Sequence, residues 1–204
     1  MLDPPYHPKA EVRTHIRSVR RRRPDADAAL AGALAELVRE CAARSVAAYV
    51  PVGAEPGGEL LVPALAATGV RLLLPVLRDD LDLDWAVYDG TLAPGRRFRL
   101  REPTGPRLGC DAIATVDLVV APALAVDRAG NRLGQGGGSY DRALARTAAP
   151  VIVPLYPGEL VDELPAEPHD RPVSAALLAA DAGYESPHLY WTKAASMTHH
   201  WHSK

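Results

Sequence analysis

The sequence predicts a single α/β domain with a largely parallel, Rossmann-like sheet between two layers of helices. Three observations predict this fold. Short apolar runs recur along the chain and have the length of buried strands. Segments whose apolar residues have helical spacing separate these runs. Finally, several of the runs are apolar on both faces, which is typical of parallel strands that are covered by helices on both sides.

The length and the cysteine content are consistent with one globular domain. A chain of 204 residues buries roughly 70% of the surface that its unfolded form exposes, so its core needs no metal or disulfide. Its two cysteines, Cys41 and Cys110, match no zinc-binding or redox spacing and are expected to be reduced. We assign the domain to residues 1–184 and expect residues 185–204 to form a C-terminal tail.

The N-terminal part of the chain is predicted to form two helices. The polar run from Pro8 to Arg23 is interpreted as a short basic helix, and Asp25 as the N-terminal cap of a second helix. The apolar residues of that second helix recur at helical spacing from Leu30 to Cys41. Four basic residues of the first helix lie one turn apart and share a face: Lys9, Arg13, Arg17 and Arg20.

Five apolar segments after residue 44 are predicted strands. They are residues 45–52, 71–77, 83–88, a strand that begins at Asp117, and residues 150–156. The segment 83–88 alternates between apolar and polar residues, so we expect it to be more exposed than the others. Two helices are predicted between strands, over residues 58–69 with Pro63 in the first turn, and over residues 139–147.

A run of three glycines follows the strand that begins at Asp117, within the segment GNRLGQGGGSYDRAL (residues 130–144). Parallel sheets bind ligands where loops follow the carboxyl ends of strands. Without side chains, Gly136–Gly138 can direct successive backbone N–H groups toward one anion. Ser139 is expected to cap the next helix, and Arg132 adds a permanently charged donor. These groups predict a site for a polyphosphate.

The glycine loop matches neither of the common nucleotide-binding motifs. No Gly-Lys-Ser/Thr sequence follows it, and Ser139 stands where the dinucleotide fingerprint has its third glycine. A structural turn is an equally good explanation for the glycines taken alone. Asp141 favours a ligand site, because a carboxylate beside bound phosphates can hold Mg²⁺. The alternative role for Asp141 is a first-turn residue that interacts favourably with the helix dipole.

The segment GNRLGQGGGSYDRAL closely resembles the glycine-rich signature of the 5-formyltetrahydrofolate cyclo-ligases, also called methenyltetrahydrofolate synthetases. Four more segments resemble motifs of this family, and they occur in the family's order between residues 9 and 183. They are the Lys-x-x-x-Arg element of Lys9 and Arg13, YVPVGAEPGGEL, FRLREP (98–103) and LPAEPHDRPVS. The ordered set is far more specific than any single segment.

The resemblance implies an ATP-dependent cyclisation. ATP would phosphorylate the formyl oxygen of 5-formyltetrahydrofolate, and the second folate nitrogen would then attack the activated carbon. Loss of phosphate would give 5,10-methenyltetrahydrofolate, with ADP as the other product. The substrate oxygen is itself the nucleophile, so the reaction needs positioning and charge neutralisation and no nucleophilic side chain.

The resemblance also implies which residues hold ATP and its metal ion. Arg132 and Asp141 would be the catalytic residues, and Asp141 and Asp170 would hold Mg²⁺. The residues that would bind ATP come from the first helix and the glycine loop: Lys9, Arg13, Arg132, Gly134, Gln135, Gly136, Gly137, Gly138, Ser139 and Tyr140.

Three residues would contact the folate. Glu55 would accept hydrogen bonds from two neighbouring N–H donors of the pterin, with Glu59 as the alternative if the loop aligns differently. Phe98 would stack on the pterin, although a core position in a strand is the alternative. Tyr140 would contact the substrate as well as ATP. At Ser139 the family often has an aromatic residue, so one substrate contact is missing here.

Other functions and features remain open from the sequence. A non-catalytic relative would bind folate or nucleotide on the same fold without turnover. Nucleic-acid binding through Arg20–Arg23 is a more distant alternative, against which the net charge of −2 and the lack of aromatic residues nearby both weigh. In the tail, His199, His200 and His202 suggest a metal site, but we favour a disordered end.

Location and partners follow from similar considerations. No apolar run approaches the roughly 20 residues that a membrane span needs. The N-terminus lacks the apolar region of a secretory signal, so we expect a cytoplasmic protein. Its partners would be ATP and 5-formyltetrahydrofolate, in mono- or polyglutamylated form. We expect a monomer that binds neither nucleic acid nor membrane.

Overall fold

The computed structural model describes residues 9–97, 100–166, 171–181 and 185–195. Within these ranges the α-helices are α1 (Lys9–Val19), α2 (Pro24–Glu40), α3 (Leu61–Ala66) and α4 (Ser139–Leu144). The first six strands are β1 (Ser45–Ala48), β2 (Arg71–Leu77), β3 (Leu83–Val87), β4 (Leu92–Pro94), β5 (Arg101–Pro103) and β6 (Leu118–Val120). The others are β7 (Ala125–Asp127), β8 (Arg132–Leu133), β9 (Val151–Leu155), β10 (Leu160–Val161), β11 (Ala175–Leu178) and β12 (His188–Trp191).

Among the described residues, the main sheet has seven strands in the order β12-β11-β9-β6-β1-β2-β3. The five central strands are parallel to their neighbours. Only the two edge strands, β12 and β3, run antiparallel to the strand beside them. The largely parallel sheet predicted from the alternating pattern is therefore confirmed.

Helices cover both faces of this sheet and give it three layers. Val46 and Ala48 of β1 belong to the core cluster that also contains the apolar residues of α2 and α3. Ala47 lies on the other face, in the cluster that contains Ala143 and Leu144 of α4. Neighbouring residues of a strand point to opposite faces, so a strand of consecutive apolar residues can serve both cores at once.

The boundaries of the two N-terminal helices differ from the prediction. Helix α1 ends at Val19, so the arginine run lies in the connection to α2 rather than in a helix. Helix α2 begins at Pro24, and Arg23 occupies the N-cap position without a capping side-chain hydrogen bond. Asp25 lies in the first turn and is not the cap. The fixed φ of proline suits the first helical position, which explains the earlier start.

Strand β3 was expected to be exposed, and that expectation is wrong. Trp85 is completely buried in it, and Asp84 is also buried. The segment after β5 covers this edge of the sheet: the backbone N–H of Leu108 donates to the Trp85 carbonyl at 2.8 Å, and Arg107 forms a bridge with Ala86. Alternation identifies a strand with two different faces, but it does not show what packs on the polar one.

The glycine loop does not follow β6 directly. A small sheet with the order β10-β7-β8 intervenes, and the loop leaves β8 after Leu133. At its other end the loop enters α4, whose N-cap is Gly138 with a φ of +69°. Ser139 was expected to be the cap, but it is the first helical residue, because the left-handed cap conformation favours glycine.

The boundary predicted at residue 184 is too early. Strand β12 (His188–Trp191) pairs with β11 over four residue pairs and forms an edge of the main sheet. Part of the segment assigned to a separate tail therefore belongs to the domain. The three tail histidines, His199, His200 and His202, lie outside the described residues. None of the helices in the described ranges is both long enough and apolar enough to cross a membrane.

Candidate active site

A cavity of about 520 Å³ lies at the carboxyl ends of β1, β2 and β6. Its walls come from residues that follow those strands, such as Val50 and Pro122, and from Leu77 at the end of β2. The glycine loop from Gly134 to Gly138 completes the enclosure. Crevices at this end of a parallel sheet are the usual ligand sites of α/β proteins, and the volume is in their usual range of about 300–1,000 Å³.

The conformation of the glycine loop explains two of its three consecutive glycines. Gly136 and Gly138 have φ angles of +99° and +69°, which side chains rarely adopt. Gly137 has no such angle, and a Cβ added there would meet nothing closer than the Ser139 hydroxyl at 3.7 Å. A structural turn therefore accounts for Gly136 and Gly138 but not for Gly137. The bare backbone at Gly137 is available to a ligand that approaches the cavity wall.

Side chains of helix α1, which lies outside the main sheet, donate hydrogen bonds to the glycine loop. The Arg13 Nε donates to the Gly134 carbonyl at 3.0 Å. One turn later, Arg17 donates from Nε and Nη2 to the side-chain oxygen of Gln135 at 3.0 and 2.8 Å. Arg17 also lines the cavity and was not predicted as a site residue. Its signal in the sequence was the one-turn spacing from Lys9 and Arg13.

Arg132 and Asp141 form an ion pair in the cavity wall. The Arg132 Nη2 donates to Asp141 Oδ1, and its Nη1 donates to the Pro122 carbonyl at 3.0 Å. The guanidinium also lies 5.8 Å from the centre of the Tyr140 ring. The Arg132 side chain is only 4% exposed. The sequence suggested a direct donor to phosphate, but this guanidinium is already engaged with protein groups.

Asp141 has the chemistry of a magnesium ligand. Its side chain lines the cavity and is 36% exposed. Oδ1 accepts from Arg132, whereas Oδ2 has no hydrogen-bond partner in the part of the chain that the structure describes. Since Mg²⁺ is usually held by one or two carboxylates together with phosphates and water, one free carboxylate oxygen beside the loop fits the ion. Asp170, the second predicted ligand, lies outside the described residues.

Glu55 lies in the loop after β1 and lines the cavity. Its Oε2 accepts a hydrogen bond from the backbone N–H of Val52 at 2.9 Å. Burial raises the pKa of Glu55, while the hydrogen bond from Val52, the nearby charge of Arg20 and a hydrogen bond with Gln135 act in the opposite direction. Glu59, the alternative residue, is 87% exposed and pairs with Arg22 at 3.5 Å. Of the two glutamates, only Glu55 belongs to the cavity.

The buried residue Asp27 stabilises the loop that carries Glu55 through hydrogen bonds. Oδ1 of Asp27 accepts from the Gly57 N–H at 2.8 Å and from the Tyr156 hydroxyl at 2.5 Å. The Tyr49 hydroxyl donates to the Pro56 carbonyl on the same loop. Sequence reasoning missed Asp27, although its position three residues before Leu30 placed a carboxylate on the apolar face of α2.

The remaining walls of the cavity combine apolar side chains with one polar hydroxyl group. Leu77, Leu81, Leu83 and Leu100 provide apolar surface. Tyr140 contributes a buried hydroxyl that has no hydrogen-bond partner among the described residues. Burial raises the pKa of this hydroxyl, so it is a neutral donor. A buried hydroxyl without a partner is unusual in folded proteins, and a ligand in the cavity would supply one. Phe98 lies outside the described residues.

The first residue of the arginine run forms a structural ion pair, whereas Arg21, Arg22 and Arg23 are exposed. Arg20 is buried and donates to Glu159 at 2.7 Å and to the Ala123 carbonyl at 2.8 Å. Arg23 lies over the ring of Tyr156, 5.7 Å from its centre. Arg20 is therefore held by protein groups and is not free to reach a phosphate.

Comparison with known proteins identifies relatives along most of the chain. The model of the 5-formyltetrahydrofolate cyclo-ligase family matches residues 7–179. The chain is 46% identical to a 5-formyltetrahydrofolate cyclo-ligase of Mycolicibacterium smegmatis over 175 residues, which covers 79% of this chain and 89% of the relative. It is 26% identical to the Haemophilus influenzae protein of that name, over 81% of this chain and 94% of the relative.

Solved structures agree with the sequence relatives. The NMR structure of Aquifex aeolicus 5,10-methenyltetrahydrofolate synthetase superposes with a TM-score of 0.67 at 25% identity, over 83% of this chain and 89% of that one. The Mycoplasma pneumoniae synthetase has a TM-score of 0.65 at 18% identity and supports the fold. The resemblance inferred from the ordered motifs is confirmed, and the chain belongs to the 5-formyltetrahydrofolate cyclo-ligase family.

Proposed function

We propose that this chain converts 5-formyltetrahydrofolate to 5,10-methenyltetrahydrofolate with ATP, releasing ADP and phosphate. The observation that carries the proposal is the cavity, which joins a glycine-rich loop to a half-buried carboxylate, Glu55, and an apolar wall. The loop suits a polyphosphate, the carboxylate suits the N–H donors of a pterin, and the wall suits aromatic rings. The names of the sequence relatives support the same reaction.

The triphosphate of ATP is assigned to the glycine loop and helix α1. Backbone N–H groups of the loop donate to its phosphate oxygens, and the closest approach is at Gly137. Lys9, Arg13 and Arg17 share one face of α1, so their charges lie on the side of the helix that contacts the loop. Gly134, Gln135, Ser139 and Tyr140 complete this side of the site.

The reaction then depends on positions and charges. The formyl oxygen of the folate attacks the terminal phosphorus of ATP and ADP leaves. The second nitrogen of the folate attacks the formyl carbon, and the carbon–oxygen bond to phosphate breaks. Phosphoryl transfer of this kind is accelerated mainly by alignment and by neutralisation of charge. The protein contributes both without a covalent intermediate on a side chain.

Asp141 and Asp170 are assigned to Mg²⁺. When bound, the ion offsets the negative charge of the transferred phosphoryl group. Arg132 acts on this site indirectly: it fixes Asp141 Oδ1 and leaves Oδ2 for the ion. Arg132 is therefore a positioning residue in this proposal, rather than a direct contact of the phosphates.

The pterin is assigned to the side of the cavity formed by Glu55 and Tyr140. The Glu55 carboxylate accepts from two adjacent N–H groups of the ring, and the unpartnered Tyr140 hydroxyl donates to a ring or formyl acceptor. Phe98 would stack on the pterin. We also propose that the enzyme works in the cytoplasm as a monomer, on substrates that are small molecules.

A direct assay tests the proposal. The protein is mixed with ATP, Mg²⁺ and 5-formyltetrahydrofolate, and the methenyl absorbance is followed together with ADP. We expect both products in equal amounts, and neither when ATP or the folate is omitted. Binding of both ligands without product would instead identify a non-catalytic relative that uses the same cavity.

Gly137→Ala is expected to raise the KM for ATP by about tenfold or more, because a Cβ blocks the approach of phosphate to the backbone. The free energy of unfolding should stay constant or rise by about 0.4–1 kcal/mol, since the site has room and an ordinary φ. Steady-state kinetics and thermal unfolding measure the two effects. Unchanged ATP kinetics with a lower melting temperature would show that Gly137 is part of a turn only.

Glu55→Gln is expected to raise the KM for 5-formyltetrahydrofolate by about 10- to 100-fold, as expected for loss of a charged hydrogen bond. The KM for ATP should change little. Glu59→Gln is the matched control, because Glu59 lies in the same segment but is exposed. If Glu59→Gln raised the KM for the folate more than Glu55→Gln does, the pterin contact would be assigned to Glu59.

The Glu55→Gln variant should also lose a pH dependence of stability. Burial raises the folded-state pKa of Glu55 above its ordinary value of 4.5. Below pH 4.5 the carboxyl is protonated in both states and burial costs nothing extra. As the pH rises through the folded pKa, only the folded protein bears the cost of burying the charge, so stability falls. The variant should therefore be at least as stable as the wild type at pH 7.

A further inference from the structure

The side chain of Arg142, in helix α4, connects the glycine loop to the apolar wall of the cavity. Its Nη2 donates to the Leu81 carbonyl at 2.7 Å and, in a longer hydrogen bond of 3.4 Å, to the Gly137 carbonyl. Gly137 belongs to the loop assigned to ATP, whereas Leu81 lies in the turn between β2 and β3 and lines the cavity. One guanidinium nitrogen thus bridges the two sides of the site.

The turn that carries Leu81 has a conformation that leucine rarely adopts. Leu81 has a φ of +64°, in the left-handed region, which is unfavourable for a residue with a Cβ. The Arg78 N–H closes the turn by donating to the Asp82 carbonyl at 2.9 Å. A strained backbone persists only where surrounding contacts fix it. The hydrogen bond from Arg142 therefore helps to set the position of the Leu81 side chain on the cavity wall.

Asp82 orients the guanidinium group of Arg142. Its Oδ1 lies 3.9 Å from Arg142 Nε, and its two carboxylate oxygens accept from Arg146 at 3.0 and 2.6 Å. The hydrogen bonds from Arg146 lower the pKa of Asp82, so this carboxylate is charged at neutral pH. The Arg142 side chain is 42% exposed. It can therefore be replaced without leaving a cavity in the core.

We propose that Arg142 is a positioning residue that makes the binding of ATP and the binding of the folate mutually favourable. The inference rests on the proposed function, because it needs ATP at the glycine loop and the folate against the apolar wall. A phosphate that accepts from the Gly138 N–H polarises the carbonyl at the other end of the same peptide unit, which is that of Gly137. The polarised carbonyl strengthens the long hydrogen bond from Arg142, and Arg142 in turn fixes Leu81 against the rings of the folate.

The coupling acts equally in both directions, because it is one free energy shared by two binding equilibria. Couplings of this kind change an affinity by about 5- to 150-fold, and a long hydrogen bond from a partly exposed side chain belongs at the lower end of that range. We expect a saturating nucleotide to tighten folate binding by about 5- to 10-fold. The folate should tighten nucleotide binding by the same factor.

The test measures the Kd of 5-formyltetrahydrofolate by titration calorimetry, with and without saturating β,γ-imido-ATP and Mg²⁺. The imido analogue occupies the nucleotide site without transferring its terminal phosphoryl group, so no turnover disturbs the titration. The proteins compared are the wild type, Arg142→Met, Leu81→Ala and Arg128→Met. Arg128 is the matched control, because its side chain is 53% exposed and pairs with an aspartate, Asp162, at 2.9 Å.

The wild type and Arg128→Met should show the tightening of about 5- to 10-fold, and Arg142→Met and Leu81→Ala should show none. Leu81→Ala keeps the carbonyl that accepts from Arg142 and loses only the side chain on the wall. It therefore tests the inference even if Arg142→Met does not fold. A wild type without coupling would overturn the inference. Coupling that survives in either cavity variant would also overturn it, since direct contact between nucleotide and folate would then be the cause.

Failure of the proposed function has a different result. In that case both ligands bind and are coupled, but ATP in place of the imido analogue yields no methenyl product. Methenyl product without coupling in the wild type would contradict the role of Arg142 alone. A wild type that binds neither ligand contradicts both proposals.

Discussion

Asp141→Asn is expected to lower turnover by about 10²- to 10³-fold, the loss typical when one charge-stabilising group is removed from such a site. The amide oxygen can still accept from Arg132, so the fold should be retained. What is lost is the negative charge proposed to hold Mg²⁺. The Mg²⁺ concentration needed for half-maximal rate should therefore rise together with the fall in turnover.

The measurement is a magnesium titration of the rate at saturating ATP and folate. Asp162→Asn is the matched control, because Asp162 forms an aspartate–arginine pair with Arg128 on an exposed surface. That variant should behave like the wild type. If Asp141→Asn has a normal magnesium titration, Asp141 serves only the helix and the ion pair, and the metal assignment is wrong.

Asp27→Leu is expected to destabilise the fold by about 2–4 kcal/mol. The substitution leaves two buried donors, the Gly57 N–H and the Tyr156 hydroxyl, without their acceptor, and each such donor costs about 1–3 kcal/mol. Loss of the buried carboxylate offsets part of this cost. Denaturant unfolding gives the free energy, and Asp25→Leu is the control in the same helix turn, because Asp25 is exposed.

Substitution of Asp27 should also raise the KM for the folate more than the KM for ATP, because Asp27 stabilises the loop that carries Glu55. We expect Asp27→Asn, which keeps an oxygen at Oδ1, to fold and to show a raised KM for 5-formyltetrahydrofolate with a nearly normal KM for ATP. Equal changes in both constants would argue that Asp27 maintains the fold without positioning the loop.

The fold was predictable because its strands are apolar on both faces. Consecutive apolar residues, such as Val46, Ala47 and Ala48, indicate a strand that lies between two cores. One error had a local cause and another had a tertiary cause. Asp25 has the chemistry of a cap, but the preceding proline was the better first residue. The polar residues of β3 suggested exposure, yet Asp84 accepts from the Gly109 N–H at 2.8 Å in the covering segment.

The candidate site was only partly visible in the sequence. The glycine loop and Glu55 stand in motifs that can be read from a short segment. The contacts of Arg17 with Gln135 and of Asp27 with Tyr156 join residues 118 and 129 positions apart, so no local pattern identifies these partners. Arg132 is instructive, because its charge suggested a phosphate contact while its partner, Asp141, was counted separately as a metal ligand.

The contacts between α1 and the glycine loop affect the order in which the chain folds. Arg13 contacts a carbonyl that lies 121 residues later in the chain, and Val12 and Ile16 pack against Leu124 and Leu133. At synthesis rates of about 5–20 residues per second, the first helix waits roughly 6–24 s for those partners. The apolar face of α1 stays uncovered during this time. The nucleotide site is therefore completed late, when α1 packs against the β7–β8 hairpin, which is synthesised much later.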